Sequence, residues 1–165
     1  MNQHFVWTKN NEWETPLEYW KQIEDLIPTD LTINDPFYMN GNAKKHWKKL
    51  SREIIHENKD FYKIEKNDKK EIFVSNPPHT KFHLLLEHLF YLDKPFILLI
   101  PINKIANKKT QKILIEKNNI QIIPSPIYKG FITPEGLQTR GCPQYYCYLC
   151  YKLNLPCDLY FMKEK

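Results

Sequence analysis

The sequence predicts an α/β domain built on a mostly parallel sheet, with an antiparallel hairpin of C-terminal residues at the edge of that sheet. Three observations support this fold. Short apolar segments alternate with segments of helical periodicity from residue 31 to residue 123. One apolar segment, residues 96–100, contains no polar residue, as expected of a strand covered on both faces. After residue 123, two further strand-like segments follow without a helix between them.

The individual elements follow from local composition. Apolar residues at helical spacing predict helices over residues 15–27, 42–51, 80–91 and 104–117. Runs rich in Ile, Val, Leu and Phe predict strands over residues 31–33, 53–56, 71–75, 96–100 and 120–123. The C-terminal hairpin is predicted to pair residues 145–151 with residues 158–162. Strands and helices that alternate in this way form a parallel sheet whose crossover connections are helices.

The start of the first helix carries a recognisable signal. Thr15 is predicted to cap it, and Pro16 suits the first helical position. The residues before it, 1–14, are interpreted as an N-terminal extension whose aromatic side chains pack on the domain. We expect a single domain over residues 1–165.

The composition indicates an intracellular protein. No N-terminal segment has the basic and apolar regions of a signal peptide, and the longest apolar run, residues 95–102, is far shorter than the roughly 20 residues of a membrane helix. We therefore expect a location in the cytoplasm or the nucleus. The formal net charge of +5 favours a polyanionic partner such as nucleic acid, although solvated helix faces explain the same lysine clusters.

Three polar loops follow predicted strands, at residues 34–41, 57–62 and 75–79. Because ligands of open α/β sheets bind beyond the carboxyl ends of the strands, we expect these loops to meet around a ligand. The first loop contains Asp35, which suits a cationic ligand group, and Gly41, which permits a close approach of the backbone.

The third loop, with the sequence Ser-Asn-Pro-Pro-His, is the most informative. The amino nitrogen of adenine is a poor nucleophile because its lone pair is delocalised into the ring, so a site that methylates it needs acceptors for the amino hydrogens. The Asn76 side-chain oxygen and the Pro77 carbonyl are candidates, and the proline pair fixes the backbone. His79 is then placed to stack on the base. A strand-terminating turn is the alternative interpretation.

The order of the motifs resembles a known family. Residues 15–16, 35–41, 60–61 and 76–79 follow one another as Thr-Pro, Asp-Pro-Phe-Tyr-Met-Asn-Gly, Asp-Phe and Asn-Pro-Pro-His. Over roughly residues 15–127 the chain is similar to the class I S-adenosylmethionine-dependent methyltransferases. Within them it resembles the adenine-specific N6 enzymes, including small proteins of phages and large DNA viruses. The resemblance implies a Rossmann-like three-layer sandwich, S-adenosylmethionine as cofactor, and adenine in DNA or RNA as substrate.

The resemblance also implies roles for individual residues. The catalytic residues would be Asn76, Pro77, Pro78 and His79. The residues implied to contact the cofactor are Thr15, Pro16, Asp35, Phe37, Asn40, Gly41, Glu57, Asp60 and Phe61. In this family the first loop wraps the methionine part, the position of Glu57 binds the ribose hydroxyls, and the positions of Asp60 and Phe61 contact the adenine. Turns, a helix cap and core aromatics are alternative explanations for the same residues.

Two departures from the family pattern favour a second hypothesis. Met39 stands where the family usually has a glycine, and His79, an imidazole ordinarily protonated near pH 6.5, stands where it usually has a larger aromatic ring. The alternative is a catalytically inactive methyltransferase fold that serves as a nucleic-acid-binding or protein-binding subunit. A chain of 165 residues also leaves little room for a separate target-recognition domain. We therefore expect low sequence specificity, or specificity supplied by a partner, either another protein or a second copy.

Four cysteines lie close together near the C-terminus, at positions 142, 147, 150 and 157. Four thiolates can form a structural zinc site. However, Cys147 and Cys150 fall in a predicted strand, where positions three apart point to opposite faces. Buried thiols are therefore the favoured interpretation, zinc is the alternative, and we predict no metal site.

Overall fold

The computed structural model describes residues 13–39, 41–141 and 144–162. The helices are α1 (Leu17–Ile23), α2 (Ala43–Lys49), α3 (Phe82–Leu92) and α4 (Lys108–Ile115). The strands are β1 (Thr32–Asn34), β2 (Ile54–Ile55), β3 (Glu71–Ser75), β4 (Phe96–Pro101), β5 (Ile120–Pro124) and β6 (Tyr146–Tyr151). Short 3₁₀ turns are formed by Glu24–Leu26, Phe61–Lys63 and Ile102–Lys104.

Within these ranges the strands form one six-stranded sheet in the order β2-β1-β3-β4-β6-β5. The pairs β1–β2, β1–β3 and β3–β4 are parallel, and β6 runs antiparallel to both β4 and β5. It follows that β5 has the same direction as β4. The predicted α/β class and the mostly parallel sheet with an antiparallel C-terminal strand are confirmed. The arrangement is compatible with a Rossmann-like fold.

The predicted edge hairpin of the C-terminal residues is wrong. β6 lies between β4 and β5, with Cys150 opposite Ile97 and Leu149 opposite Ile122. Residues 158–162 form no strand, and Leu159 makes only an isolated parallel bridge. The reason is burial: the side chains of β6 from Cys147 onward are buried on both faces, so this strand is most stable with a neighbour on each edge.

Alternating side chains of the strands enter two cores, one on each face of the sheet. On the first face Ile72 and Ile97 pack with α1 and α2, whose Tyr19, Trp20 and Trp47 are almost completely buried. On the second face the core contains Phe73, Phe96 and Leu98 from the strands and Phe82, Leu85, Leu86 and Leu89 from α3. α4 adds partly buried side chains to the second face. Helices therefore cover both faces, as the uninterrupted apolar strands predict.

The start of α1 differs from the prediction. Pro16, and not Thr15, occupies the N-cap position, and no side chain caps the helix there. The Thr15 hydroxyl instead accepts a hydrogen bond from the Asn76 side chain at 3.0 Å. Thr15 therefore holds the loop after β3. Of the predicted N-terminal extension, residues 1–12 lie outside the described residues, and Trp13 packs at the edge of the first core.

The cysteines of β6 are buried thiols on opposite faces of the sheet. Cys147 belongs to the core beneath α3, and Cys150 belongs to the core beneath α1 and α2. Since they face opposite sides of a strand, these two thiols cannot bind the same ion. Cys157 is exposed, and Cys142 lies outside the described residues. Among the described residues no three His, Cys, Asp or Glu side chains are grouped so as to hold a metal.

None of the helices in the described ranges has the length and apolar character needed to cross a bilayer.

Candidate functional site

A cleft opens at the carboxyl ends of β1 and β3. Its empty volume is about 810 Å³, counting the open solvent at its mouth. The loops after β1 and β3 form two of its walls, and residues 13–15 and α2 contribute to the others. Phe131 and Tyr146 complete the lining from the C-terminal part of the chain. Two of the three predicted loops therefore meet at one site.

Asp35 is the buried acidic group of the cleft, with 4% of its surface exposed. Its Oδ1 accepts hydrogen bonds from the Ser75 hydroxyl at 2.6 Å and from the Phe37 amide at 3.2 Å. The His56 Nδ1 lies 3.9 Å from Oδ2. Burial raises the pKa of Asp35 to about 6, although His56, Ser75 and the Phe37 amide each act to lower it. A cationic ligand beside this carboxylate would further stabilise its charged form.

His56 has an unused ring nitrogen in the same cleft. Its Nδ1 lies 2.8 Å from the Asp35 backbone carbonyl, which can only accept, so Nδ1 carries a hydrogen. The other ring nitrogen, Nε2, is buried and has no hydrogen-bond partner among the described residues. The Tyr38 ring, centred 4.9 Å away, packs against the imidazole.

His46 on α2 also has one ring nitrogen bonded and one unused. Its Nε2 lies 2.6 Å from the Glu14 carboxylate, which also accepts from the Asn42 side chain at 2.5 Å. The buried Nδ1 finds no partner within the part of the chain that the structure describes. His46 and Glu14 both line the cleft.

The loop after β3 adds an unused acceptor. The Asn76 amide nitrogen donates to Thr15, whereas its Oδ1 is buried without a partner in the described ranges. The next residues, Pro77 and Pro78, are buried in the cleft wall and have no N–H that could satisfy a neighbouring acceptor. A buried polar group without a partner costs about 1–3 kcal/mol. The cleft is therefore suited to a ligand that donates hydrogen bonds or carries positive charge.

His79 lies at the end of this loop and faces Tyr146, with 6.4 Å between the ring centroids. Burial lowers the pKa of His79 to about 4, and the positive charge of Lys104 lowers it further. The Lys104 ammonium also donates to the His79 backbone carbonyl at 3.3 Å. The ring is therefore neutral at pH 7, and its ordinary protonation near pH 6.5 is suppressed in the folded chain.

The residues predicted to bind a cofactor are only partly brought together. Thr15, Asp35 and Phe37 line the cleft with residues 76–79. Pro16 begins α1 beside Thr15 but is not part of the lining. Gly41, with φ +78°, lies against Tyr38, because a Cβ at this position would come within 3.0 Å of the tyrosine hydroxyl oxygen. Asn40 lies outside the described residues.

The residues implied to bind a nucleoside do not reach the cleft. Glu57 and Asp60 line a second groove, where Glu57 pairs with Lys59 at 2.6 Å. Asp60 accepts from the Tyr62 amide at 3.0 Å and begins a 3₁₀ turn. Phe61 is a core residue centred 4.9 Å from Phe37. Successive side chains of an extended segment point to opposite sides, so with His56 in the cleft wall Glu57 points away.

Sequence reasoning missed several residues of the lining. His46, His56 and Ser75 lie in or beside predicted elements, and their buried polar contacts depend on the fold as a whole. Phe131 and Tyr146 come from a part of the chain without a motif, and no local pattern could have placed them here.

No protein-family model, curated protein or solved structure matches the chain. The geometry of the cleft therefore provides the basis for a functional assignment. That geometry defines an α/β domain with a cleft lined by hydrogen-bond acceptors at the carboxyl ends of its strands.

Proposed function

We propose that the protein is an S-adenosylmethionine-dependent methyltransferase acting on the N6 amino group of adenine in nucleic acid, either DNA or RNA. The observation that carries this proposal is the buried Asn76 Oδ1, an acceptor with no partner among the described residues. It lies beside two buried prolines at the carboxyl end of β3. An exocyclic amino group has two hydrogens to donate, and in this proposal Asn76 Oδ1 and the Pro77 carbonyl accept them.

Accepting both amino hydrogens serves the reaction. It makes the nitrogen more nucleophilic and directs it toward the methyl donor. The hydrogen bond from Asn76 to Thr15 fixes the amide before the substrate arrives. The neutral ring of His79 stacks on the base. Such stacking contributes about 1–3 kcal/mol, against a cost of a few kcal/mol for removing the base from its helix.

The acceptors around Asp35 fit one part of the cofactor. When bound, S-adenosylmethionine supplies an electrophilic methyl group on a positively charged sulfur. The Asp35 carboxylate, whose ionised form the Ser75 hydroxyl and the Phe37 amide support by hydrogen bonds, suits the ammonium group of the methionine half. The backbone of Met39 has φ +44°, a conformation that glycine adopts at lower cost, which fits the glycine expected from the resemblance. The acids expected for the nucleoside half face the second groove.

A second candidate function is a methyltransferase fold that binds nucleic acid or protein without catalysis. It is favoured by the state of Asp35, whose Oδ1 is already engaged by Ser75 and the Phe37 amide. The Met39 side chain also occupies part of the cleft wall. In this case the unpaired acceptors bind an amine-bearing ligand, and no methyl group is transferred.

Titration calorimetry with S-adenosylmethionine tests the enzyme proposal first. We expect the wild-type chain to bind and Asp35→Asn to bind more weakly, because the variant lacks the negative charge. Glu57→Gln is the matched control, since this acid lies outside the cleft and binding should be unchanged. Absence of binding at millimolar cofactor, the upper end of ordinary Michaelis constants, would overturn the proposal.

Methyl transfer to adenine-containing oligonucleotides tests the role of the loop after β3. We expect Asn76→Ala to lower the rate about 100-fold or more, as happens when a group that stabilises the transition state is removed. Asn118→Ala, at an exposed asparagine, is the control. Undiminished transfer in Asn76→Ala would refute the assigned role. Cofactor binding without transfer to any oligonucleotide would favour the second candidate.

A further inference from the structure

Two exposed tyrosines lie together next to the start of β6. Tyr145 is 74% exposed and Tyr128 is 58% exposed. Their ring centroids are 6.0 Å apart and their planes are inclined by 42°. We call this pair the tyrosine platform. Neighbouring large rings that remain in water are typical of a binding surface.

The segment that carries Tyr145 is connected to the cleft through its backbone. Tyr146, the residue after Tyr145, lines the cleft and faces His79. The Tyr145 carbonyl accepts a hydrogen bond from the Ile102 amide at 2.9 Å. Two residues after Ile102, the Lys104 ammonium donates to the His79 carbonyl. Residues 102–104 therefore link the segment of Tyr145 to the loop after β3.

The Tyr128 ring packs close to the backbone of Gly141. Gly141 has φ +66°, and a Cβ at this position would lie 2.8 Å from the Cε1 atom of Tyr128. One side of the Tyr128 ring is therefore covered by this turn, and 58% of the residue is left in water.

Basic side chains follow or precede the residues that surround the platform. Exposed Lys81 follows His79 by two residues, Lys104 contacts the His79 carbonyl, and exposed Arg140 precedes Gly141. Lys129 is already paired with Glu18 and is not counted here. Positive side chains beside exposed rings suit a strand of phosphates and bases, since phosphates are attracted to the cations and bases stack on the rings.

We propose that the tyrosine platform binds single-stranded nucleic acid, with one base stacked on Tyr145 or Tyr128 and a neighbouring base directed into the cleft. Base faces in a duplex are covered by their neighbours, so only an unstacked base can use the rings. The placement of the second base rests on the proposed function, whereas binding of the strand to the platform does not. A protein partner is the competing occupant.

Fluorescence anisotropy of the full chain with a labelled single strand, without cofactor, tests this proposal. We expect Tyr145→Ala and Tyr128→Ala each to weaken binding about 5-fold or more, the loss expected when one stacking ring is removed. Tyr145→Phe should restore most of the affinity because it keeps the ring. Tyr91→Ala is the control: Tyr91 is 54% exposed and lies near the end of α3, next to Phe90, whose ring packs on Tyr151 at the end of β6 far from Tyr145.

Separate arms with single-stranded DNA, single-stranded RNA and duplex DNA identify the ligand. Stronger binding of either single strand than of the duplex, lost in the platform variants, supports the proposal. Equal affinity of wild-type and platform variants would overturn it, and so would failure of the wild-type chain to bind any single strand at low salt. In the latter case a protein is the remaining occupant. Because the measurement needs no methyl transfer, its outcome is independent of whether the chain is an enzyme.

Discussion

The Ser75 hydroxyl donates a hydrogen bond of 2.6 Å to the Asp35 carboxylate and so joins the end of β3 to the loop after β1. Both residues are almost entirely buried. The bond connects the two loops that form the cleft. Its acceptor, the Asp35 carboxylate, has a raised pKa. A change in the ionisation of Asp35 therefore affects both walls of the site.

The stability of the fold should depend on the ionisation of Asp35. Burial raises the pKa of Asp35 from 3.8 to about 6, so the folded chain retains this proton at pH values where the unfolded chain has lost it. The contribution of Asp35 to the free energy of unfolding is therefore largest below about pH 4 and decreases as the pH rises to about 6. Asp35→Asn removes the titration and keeps the shape of the side chain.

We expect urea denaturation to show the wild-type chain losing stability relative to Asp35→Asn across this pH interval. The difference between the two chains isolates Asp35 from other titrating groups. Parallel stability curves from acid to neutral pH would show that Asp35 titrates normally in the folded chain.

The contact between Glu14 and His46 should contribute more to stability than an ion pair on the surface. Glu14 accepts from both His46 and Asn42 in a partly buried position. Glu14→Gln disturbs both hydrogen bonds, so we expect a loss of about 1–3 kcal/mol in the free energy of unfolding. Glu57→Gln removes the exposed pair with Lys59 and should cause no measurable change. Equal effects of the two substitutions would contradict this view of the cleft.

The meeting of two loops was predictable because parallel strands place their carboxyl ends at one edge of the sheet. Residues 34–41 and 75–79 follow β1 and β3, which are adjacent and parallel. The loop after β2 was predicted to join them and does so only through His56. β2 has two residues, and the direction of each following side chain decides whether His56 or Glu57 reaches the cleft. Sequence alone gave no means of choosing between these neighbours.

The place of β6 shows the other limit of sequence reasoning. The strand β6 was predictable from an unbroken apolar run. Such a run also indicates a strand that is buried on both faces, as β6 is from Cys147 onward. The sequence did not indicate which strands pair with β6, because the pairing of β6 with β4 joins residues about fifty positions apart, such as Ile97 and Cys150. The same non-local contacts bring Phe131 and Tyr146 to the cleft.

A glycine at position 130 should be required for the turn that carries Phe131 to the cleft. A Cβ at Gly130 would lie 2.0 Å from the Thr139 carbonyl oxygen and 2.6 Å from that of Gly141. Backbone atoms cannot yield as a flexible side chain does, so Gly130→Ala must displace the segment. Gly136→Ala is a control without steric contact, where only the φ of +81° is unfavourable, at about 1–2 kcal/mol. We expect urea denaturation to show the larger loss for Gly130→Ala, and the reverse order would contradict the packing.

The cysteines should differ sharply in their reactivity. Burial raises the pKa of the Cys147 thiol to about 12 and also raises that of Cys150, whereas Cys157 is exposed. The thiolate is the reactive form, so alkylation of the native chain should modify Cys157 and spare the two buried thiols until the chain is unfolded. Peptide mass spectrometry measures this directly. Protection that disappears on adding a chelator would instead indicate a bound metal.

His79 should remain neutral well below the usual pH of histidine protonation. Burial, and secondarily the charge of Lys104, lowers its pKa to about 4, and an NMR titration of the ring resonances should give a midpoint near this value. Lys104→Gln should raise the midpoint but leave it below 6.5, because burial is the larger cause.

The unfolded chain takes up this proton near pH 6.5 and the folded chain does not, so the contribution of His79 to stability decreases as the pH falls from about 6.5 to about 4. The direction is opposite to that for Asp35, so the two contributions partly offset each other between about pH 4 and pH 6 in the wild-type chain. A midpoint near 6.5 would mean that the ring is open to solvent, and it could not then stack on a base as a neutral surface at mildly acidic pH.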